Sequence, residues 1–330
     1  MKTVRFLALS LLLLCSGFDV AAQNAKLPVN ANATPEAKAL LRYLYSIQGK
    51  NTLSGQHNYA RQFTRSSDSI MRYTGKQPAI WGCDFATRKR QELVNEAIRQ
   101  YKSGSIITLM YHMNRPLDSD TVRGSTWLKM TDSQWNDLLT PGTAINKLWQ
   151  DDVDAVAKCL KQLQDANIPV LWRPYHEMNG IWFWWGNKQG ENGFRKLWVI
   201  TYDRMVNFHK LNNLIWVWNT NAPRDWKDDQ AYAYDLFYPG SNYVDVLAAD
   251  VYGSDYKQSH HDQLATLANG KLIALGEVGN VPTPEILKQQ PLWTWFMVWA
   301  DFPWTHNTPQ GIRDLYNDPK VLTKDEIKLK

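Results

Sequence analysis

Pro169-Val170-Leu171-Trp172-Arg173-Pro174-Tyr175-His176-Glu177 starts as an apolar, strand-like run and closes in a cluster of polar groups. Strands covered on both faces read as nearly continuous apolar runs rather than alternating ones, and such strands belong to parallel sheets. The same pattern recurs at Asn51 to Gln56, Pro78 to Asp84, Ser105 to His112, Leu214 to Asn219, Val244 to Asp250, Leu272 to Glu277 and Phe296 to Ala300. Between most of these lie stretches with helical spacing, clearest at Pro35 to Gln48, Gln91 to Lys102, Thr143 to Ala166 and Gly193 to Leu211. Strand alternating with helix means a parallel sheet. Eight such units predict an α/β fold, a single (β/α)8 TIM barrel whose catalytic face lies at the C-terminal ends of its strands. The competing open, doubly wound sheet wants a Gly-rich phosphate turn early in the chain, and neither G-x-G-x-x-G nor G-x-x-x-x-G-K-[ST] is present.

Composition agrees with one large folded unit. The chain has 330 residues, 44% hydrophobic and 21% charged, which supports a sizeable core and excludes general disorder. Its net charge of +5 is small for this length and no Lys/Arg run forms a stripe, so nucleic acid is excluded as a partner class. Lys2 and Arg5 precede the apolar run Phe6 to Leu14, and Val20-Ala21-Ala22 resembles a signal-peptidase site. Residues 1–22 are therefore expected to be a signal peptide and 23–330 the catalytic domain, with Asn24 to Asn32 a loose lead-in. The apolar run is too short to span a membrane. Export to the periplasm or beyond the cell follows; lipidation at Cys15, giving an outer-membrane lipoprotein, is the alternative, disfavoured because Leu14 before it is not small. Cys83 and Cys159 lie in apolar runs and read as two separate buried thiols. His260-His261-Asp262 reads as a solvated loop or helix start, because adjacent residues seldom converge on one metal ion. No metal and no cofactor is implied.

In a barrel, polar residues that close an apolar strand are the ones to collect. They are Gln56-His57, Asp84, His112, the run Arg173 to Glu177, Asn219, Asp250-Val251-Tyr252, Glu277 and, near the eighth strand, Trp299. Glu177 and Glu277 are the pair suited to catalysis. With strands about 4.8 Å apart and tilted about 36°, strands four and seven place two inward glutamates with carboxyls about 6 Å apart, nearer the retaining than the inverting spacing of glycosidases. The general acid must hold its proton while the nucleophile is ionised. The apolar bulk of Trp182-Phe183-Trp184-Trp185 beside Glu177 is expected to raise its pKa, and Arg173 and Tyr252 are the candidates to hydrogen-bond Glu277. Asp84 and Asp250 are expected to orient Arg or His neighbours, while His57 and His112 divide evenly between core and substrate. Trp149, Trp216 and Trp218 read as core, and no G-x-S-x-G motif supports serine chemistry.

The stretch Trp172 to Gly186, with Arg173-Pro174-Tyr175-His176-Glu177-Met178-Asn179-Gly180 at its centre, closely resembles the acid/base segment of glycoside hydrolase family 26, the β-mannanases. Ala274-Leu275-Gly276-Glu277-Val278-Gly279 resembles its nucleophile strand; Ser54-Gly55-Gln56-His57, Trp81-Gly82-Cys83-Asp84 and Ala249-Asp250-Val251-Tyr252-Gly253 extend the likeness. The resemblance implies a cofactor-independent, retaining endo-β-1,4-mannan hydrolase with Glu177 as acid/base and Glu277 as nucleophile. It further implies that His176, Arg173, Tyr252, His112, Trp182 and Trp299 surround the sugar nearest the cleavage point, and that the partner is β-mannan, galactomannan or glucomannan met by a monomer. The same chemistry at chain ends, or on β-1,3-xylan or mixed-linked β-glucan, is the near alternative; a non-catalytic carbohydrate-binding barrel is the distant one.

Overall fold

The computed structural model describes residues 27–119 and 122–328. The leader at 1–22 and Cys15 lie outside the described residues. Eight parallel strands form the barrel: β1 (Thr52–His57), β2 (Ile80–Asp84), β3 (Ile106–Tyr111), β4 (Val170–Pro174), β5 (Leu214–Asn221), β6 (Val246–Val251), β7 (Leu272–Val278) and β8 (Trp293–Val298). Each pairs with its sequence neighbour, and β8 pairs back onto β1 from Leu53↔Trp295 to Gln56↔Val298, closing the ring. The eighth strand starts three residues before the segment expected from sequence, and Trp299 and Ala300 lie beyond its end. Trp293, Trp295 and Phe296 are all buried, so the run shows no alternation from which to read a start.

Around the ring stand α1 (Pro35–Ile47), α2 (Arg65–Thr74), α3 (Arg90–Lys102), α4 (Asp132–Leu139), α5 (Ala144–Asp165), α6 (Phe194–Tyr202), α7 (Gln258–Ala268), α8 (Pro284–Gln289) and α9 (Pro309–Tyr316). Between β5 and β6 the described residues hold no α-helix; an antiparallel hairpin, Arg224–Trp226 paired with Asp229–Ala231, and two short 3-10 turns take its place. α1 begins at Pro35 behind Thr34, whose hydroxyl accepts the Ala37 N–H, a side-chain cap. Its buried face, Ala37, Leu40, Leu41 and Leu44, packs with the inward Leu53, Ile80, Leu171, Ile215, Val246 and Leu272 and so plugs the N-terminal mouth of the barrel. The lead-in is not loose from Leu27 onward: Val29 N–H donates to Asp245 at 2.7 Å and buried Asn30 donates to Asn212 at 2.9 Å. Trp149, Trp216 and Trp218 are core, and Cys83 and Cys159 are free and buried. His260 and His261 start α7 as expected but are buried rather than solvated; Asp255 and Asp262 partner their rings.

One irregularity sets the aim of the catalytic face. Along β6 and β7 the pairing runs Ala249↔Leu275 and then Asp250↔Glu277, leaving Gly276 as an extra residue, a β-bulge. Strict alternation from inward Ala274 would turn Glu277 outward; the bulge returns it to the side of Asp250. Glycine is required there, because a Cβ on residue 276 would lie 1.7 Å from Asn219 Oδ1 and 2.8 Å from Asp250 Oδ1. Gly276→Ala is therefore expected to lower the unfolding free energy by about 1–3 kcal/mol, the usual cost of overpacking. Urea melts test this, and in a double-mutant cycle Gly276→Ala should cost less in an Asn219→Ala background than in the native one, although Asn219→Ala is itself destabilising because it unpairs Arg173; a Gly276→Ala protein of native stability would contradict the packing described.

Candidate active site

Arg173, the penultimate residue of β4, is 1% exposed. Its guanidinium donates to Asn219 Oδ1 at 2.7 Å and to Glu277 Oε1 at 3.1 Å. The Tyr252 hydroxyl donates to the other oxygen, Glu277 Oε2, at 2.6 Å. The two expected partners of Glu277 thus occupy separate oxygens, and His176 Nε2 stands 3.9 Å from Oε1. Arg173 is permanently charged, and burial together with the charge of Glu277 pushes the Tyr252 phenol well up, so both remain donors. Such a pocket suits an ionised carboxylate. Asp250 Oδ1 accepts from Asn219 Nδ2 at 2.7 Å and lies 4.0 Å from Arg173 Nη1. Asp250 therefore orients Arg173 mainly through Asn219. Its burial, reinforced by the charge of Glu277, pushes its own carboxyl well up.

Glu177 sits on a turn past the end of β4. Both Tyr175 (φ 49°) and Glu177 (φ 54°) are left-handed, a conformation that costs L residues and persists only when neighbours impose it. Here the Glu177 N–H donates to the Asn219 carbonyl at 2.7 Å, and Trp185 Nε1 donates to the His176 carbonyl at 2.8 Å. The Glu177 carboxyl accepts from Asn221 Nδ2 at 2.5 Å and from Trp182 Nε1 at 2.7 Å. Gly180 leaves room for this fold-back, since a Cβ there would lie 2.2 Å from the Trp182 ring. Burial raises the Glu177 pKa, the charge of Glu277 raises it further, and the outcome is about 7 although Asn221 and Trp182 pull the other way. The rise expected beside Trp182-Phe183-Trp184-Trp185 is present with burial as its largest cause; the Trp182 indole N–H, a hydrogen-bond donor to the carboxyl, pulls against it, and Phe183, Trp184 and Trp185 are buried.

His112 Nδ1 and Asp84 Oδ2 are 2.5 Å apart. Burial alone would raise Asp84, but the charge and hydrogen bond of His112 outweigh it and hold Asp84 at about 2; Asp84 in turn outweighs burial and raises His112. Asp84 therefore orients His112, the supporting role expected of it. His57 is buried, with a pKa lowered by burial to about 3, and stacks on half-buried Trp299 at 4.3 Å. Gln56 donates to the carbonyls of Val298 at 3.1 Å and Ala300 at 2.9 Å, pinning the segment that carries Trp299. The ring of His112 lies 4.3 Å from that of His176 and 5.9 Å from that of Trp299. The candidates His57, Asp84, His112, Arg173, His176, Glu177, Trp182, Asp250, Tyr252, Glu277 and Trp299 therefore gather at one end of the barrel.

Asn221, Arg224 and Gly276 were not foreseen. β5 runs three residues past its apolar part, so Asn219 and Asn221 share the inward face; spacing by two within Asn219-Thr220-Asn221 is the signal that was available. Arg224 contacts Asn221 Oδ1 and stands 5.0 Å from the Trp182 ring.

The native state holds the Glu177 proton more tightly than the unfolded chain, since the pKa rises from 4.5 to about 7. The stability this confers is fully present below the unfolded value and is lost as pH rises through about 7. Glu177→Gln should accordingly raise Tm at pH 8 by several degrees more than at pH 4. A Tm difference independent of pH would contradict the burial of this carboxyl.

The model of glycosyl hydrolase family 26 matches residues 29–326. A mannan endo-1,4-beta-mannosidase of Thermothelomyces thermophilus is 38% identical over 90% of this chain, which spans 62% of that protein's length. One from Bacillus subtilis is 30% identical, with 91% of this chain and 89% of that protein covered. The solved structure of GH26A from a Muricauda species superposes with a TM-score of 0.89 at 50% identity, covering 91% of this chain and 99% of that one. Over nearly all of its described residues, the chain belongs to glycosyl hydrolase family 26.

Proposed function

We propose that the protein hydrolyses β-1,4-linked mannan with retention of configuration, Glu277 acting as nucleophile and Glu177 as acid/base. The observation that carries this is the opposite surroundings of the two glutamates: Glu277 receives a guanidinium and a phenol, whereas Glu177 is buried with its pKa near 7. In the first step a Glu277 oxygen attacks the anomeric carbon while Glu177 gives its proton to the departing glycosidic oxygen; the leaving chain departs as an alcohol and a glycosyl ester remains. In the second step Glu177, now ionised, takes a proton from water as the water oxygen displaces Glu277. His176, His112, Trp299 and His57 line the sugar that reacts. The substrate follows from the relatives, whose names specify mannan, and extends to glucomannan and galactomannan. The leader-like residues 1–22 support export.

Glu277→Ala should remove turnover on every substrate. Glu177→Ala should lower kcat/KM on mannan by about 10²–10⁴-fold, the usual contribution of a general acid, yet still allow an aryl glycoside with a good leaving group to glycosylate the enzyme. Steady-state assays with both substrates check this, and equal loss on both in Glu177→Ala would contradict the assignment. For the native enzyme, kcat/KM on mannan should fall as pH rises through about 7, where Glu177 loses its proton. Proton NMR of fresh products should show the β-anomer first; the α-anomer would mean inversion.

A further inference from the structure

Beyond Arg224, the hairpin that replaces a helix after β5 takes no part in the chemistry above. It is nevertheless sewn to the acid/base turn: Ile181 N–H donates to the Gln230 carbonyl at 3.2 Å, Tyr232 N–H to the Asn179 carbonyl at 2.9 Å, and Asn179 Nδ2 to the Tyr232 and Asn221 carbonyls, each at 2.8 Å. Gly180 and Ala231 form a β-bridge. The hairpin therefore moves with Glu177. β5 stands across the eight-strand ring from β1, so the hairpin also faces away from the His57–Trp299 stack at β1 and β8.

Resting on the proposed function, we propose that this hairpin is the leaving-group side of the cleft, with Trp226 the platform on which a sugar of the departing chain stacks. A general acid must reach the oxygen between the reacting sugar and the leaving chain, so structure fixed to the acid on the side away from Trp299 borders the departing sugars. Trp226 is 42% exposed, which leaves a flat apolar face open. Its indole is held in place. The Arg224 guanidinium lies 4.9 Å from the Trp226 ring and 5.0 Å from that of Trp182, and Asp229 fixes the guanidinium at 2.6 Å and 3.0 Å. A planar cation between two indoles sets the rings before any sugar arrives, which lowers the ordering cost of binding. Asn221 links the same guanidinium to Glu177, so the platform and the proton donor share one mount.

The test compares mannohexaose with an aryl mannobioside, which has no sugar beyond the cleaved bond. Trp226→Ala should lower kcat/KM on mannohexaose about five- to tenfold more than on the aryl substrate, the size of a lost stacking contact. It should also reduce transfer of mannosyl units to added mannotriose, whereas Trp226→Phe recovers most of both. Arg224→Lys, which keeps the charge but loses the planar stack, should move mannohexaose in the same direction. Equal losses on the two substrates, or none on either, overturn the hairpin's role and leave the catalytic assignment standing. A native enzyme that cleaves neither substrate overturns both.

Discussion

The guanidinium of Arg173 is the contact on which the catalytic face depends. It is nearly inaccessible to water and divides its donors between Asn219 and Glu277. A charge in such a place is tolerated only with well-aligned partners. Glu277 supplies the countercharge, Asn219 the neutral acceptor, and Asp250 holds Asn219 in turn. The Gly276 bulge exists to admit this arrangement: it turns Glu277 inward and leaves the space that the Asn219 amide fills. One buried cation thereby couples strands four, five, six and seven.

The same dry environment gives two identical side chains different chemistry. Glu277 faces donors on both oxygens, one from a permanent cation. Among the described residues the Glu177 carboxyl accepts only from neutral donors, Asn221 and Trp182, and the charge of Glu277 across the site outweighs that of Arg224, so burial prevails and its proton is retained to about 7. An acid and a nucleophile need that difference, and it arises from which strand each glutamate ends. The strained turn at Tyr175 and Glu177 is part of the same device, since it swings Glu177 off the line of β4 toward Asn221.

Most of the barrel was legible because parallel strands carry their apolar character along the whole run, and the polar residues that end them stand out against it. Where a run is apolar or aromatic apart from Thr294, as at Trp293 to Val298, no edge shows in the sequence, and the strand starts three residues before the segment expected. Three features of the site were not legible for definite reasons. The bulge at Gly276 exists only in the pairing of β6 with β7, which a single strand's sequence does not contain. Asn221 lies in a polar stretch that continues β5 by hydrogen bonding alone. The indole N–H of Trp182 reaches Glu177 because Gly180 is small, so a residue expected to desolvate the acid in fact donates to it. His260 and His261, expected in solvent, are buried, His261 against the Trp293 ring and His260 beside Asp255.

The division of labour between the two glutamates is tested most directly by trapping the covalent intermediate. Incubation with an activated 2-deoxy-2-fluoro mannoside, which slows release of the glycosyl ester, followed by proteolysis and mass spectrometry, should place the sugar on the peptide containing Glu277. A label on Glu177 would reverse the assignment, and turnover without any covalent adduct would contradict the double displacement itself.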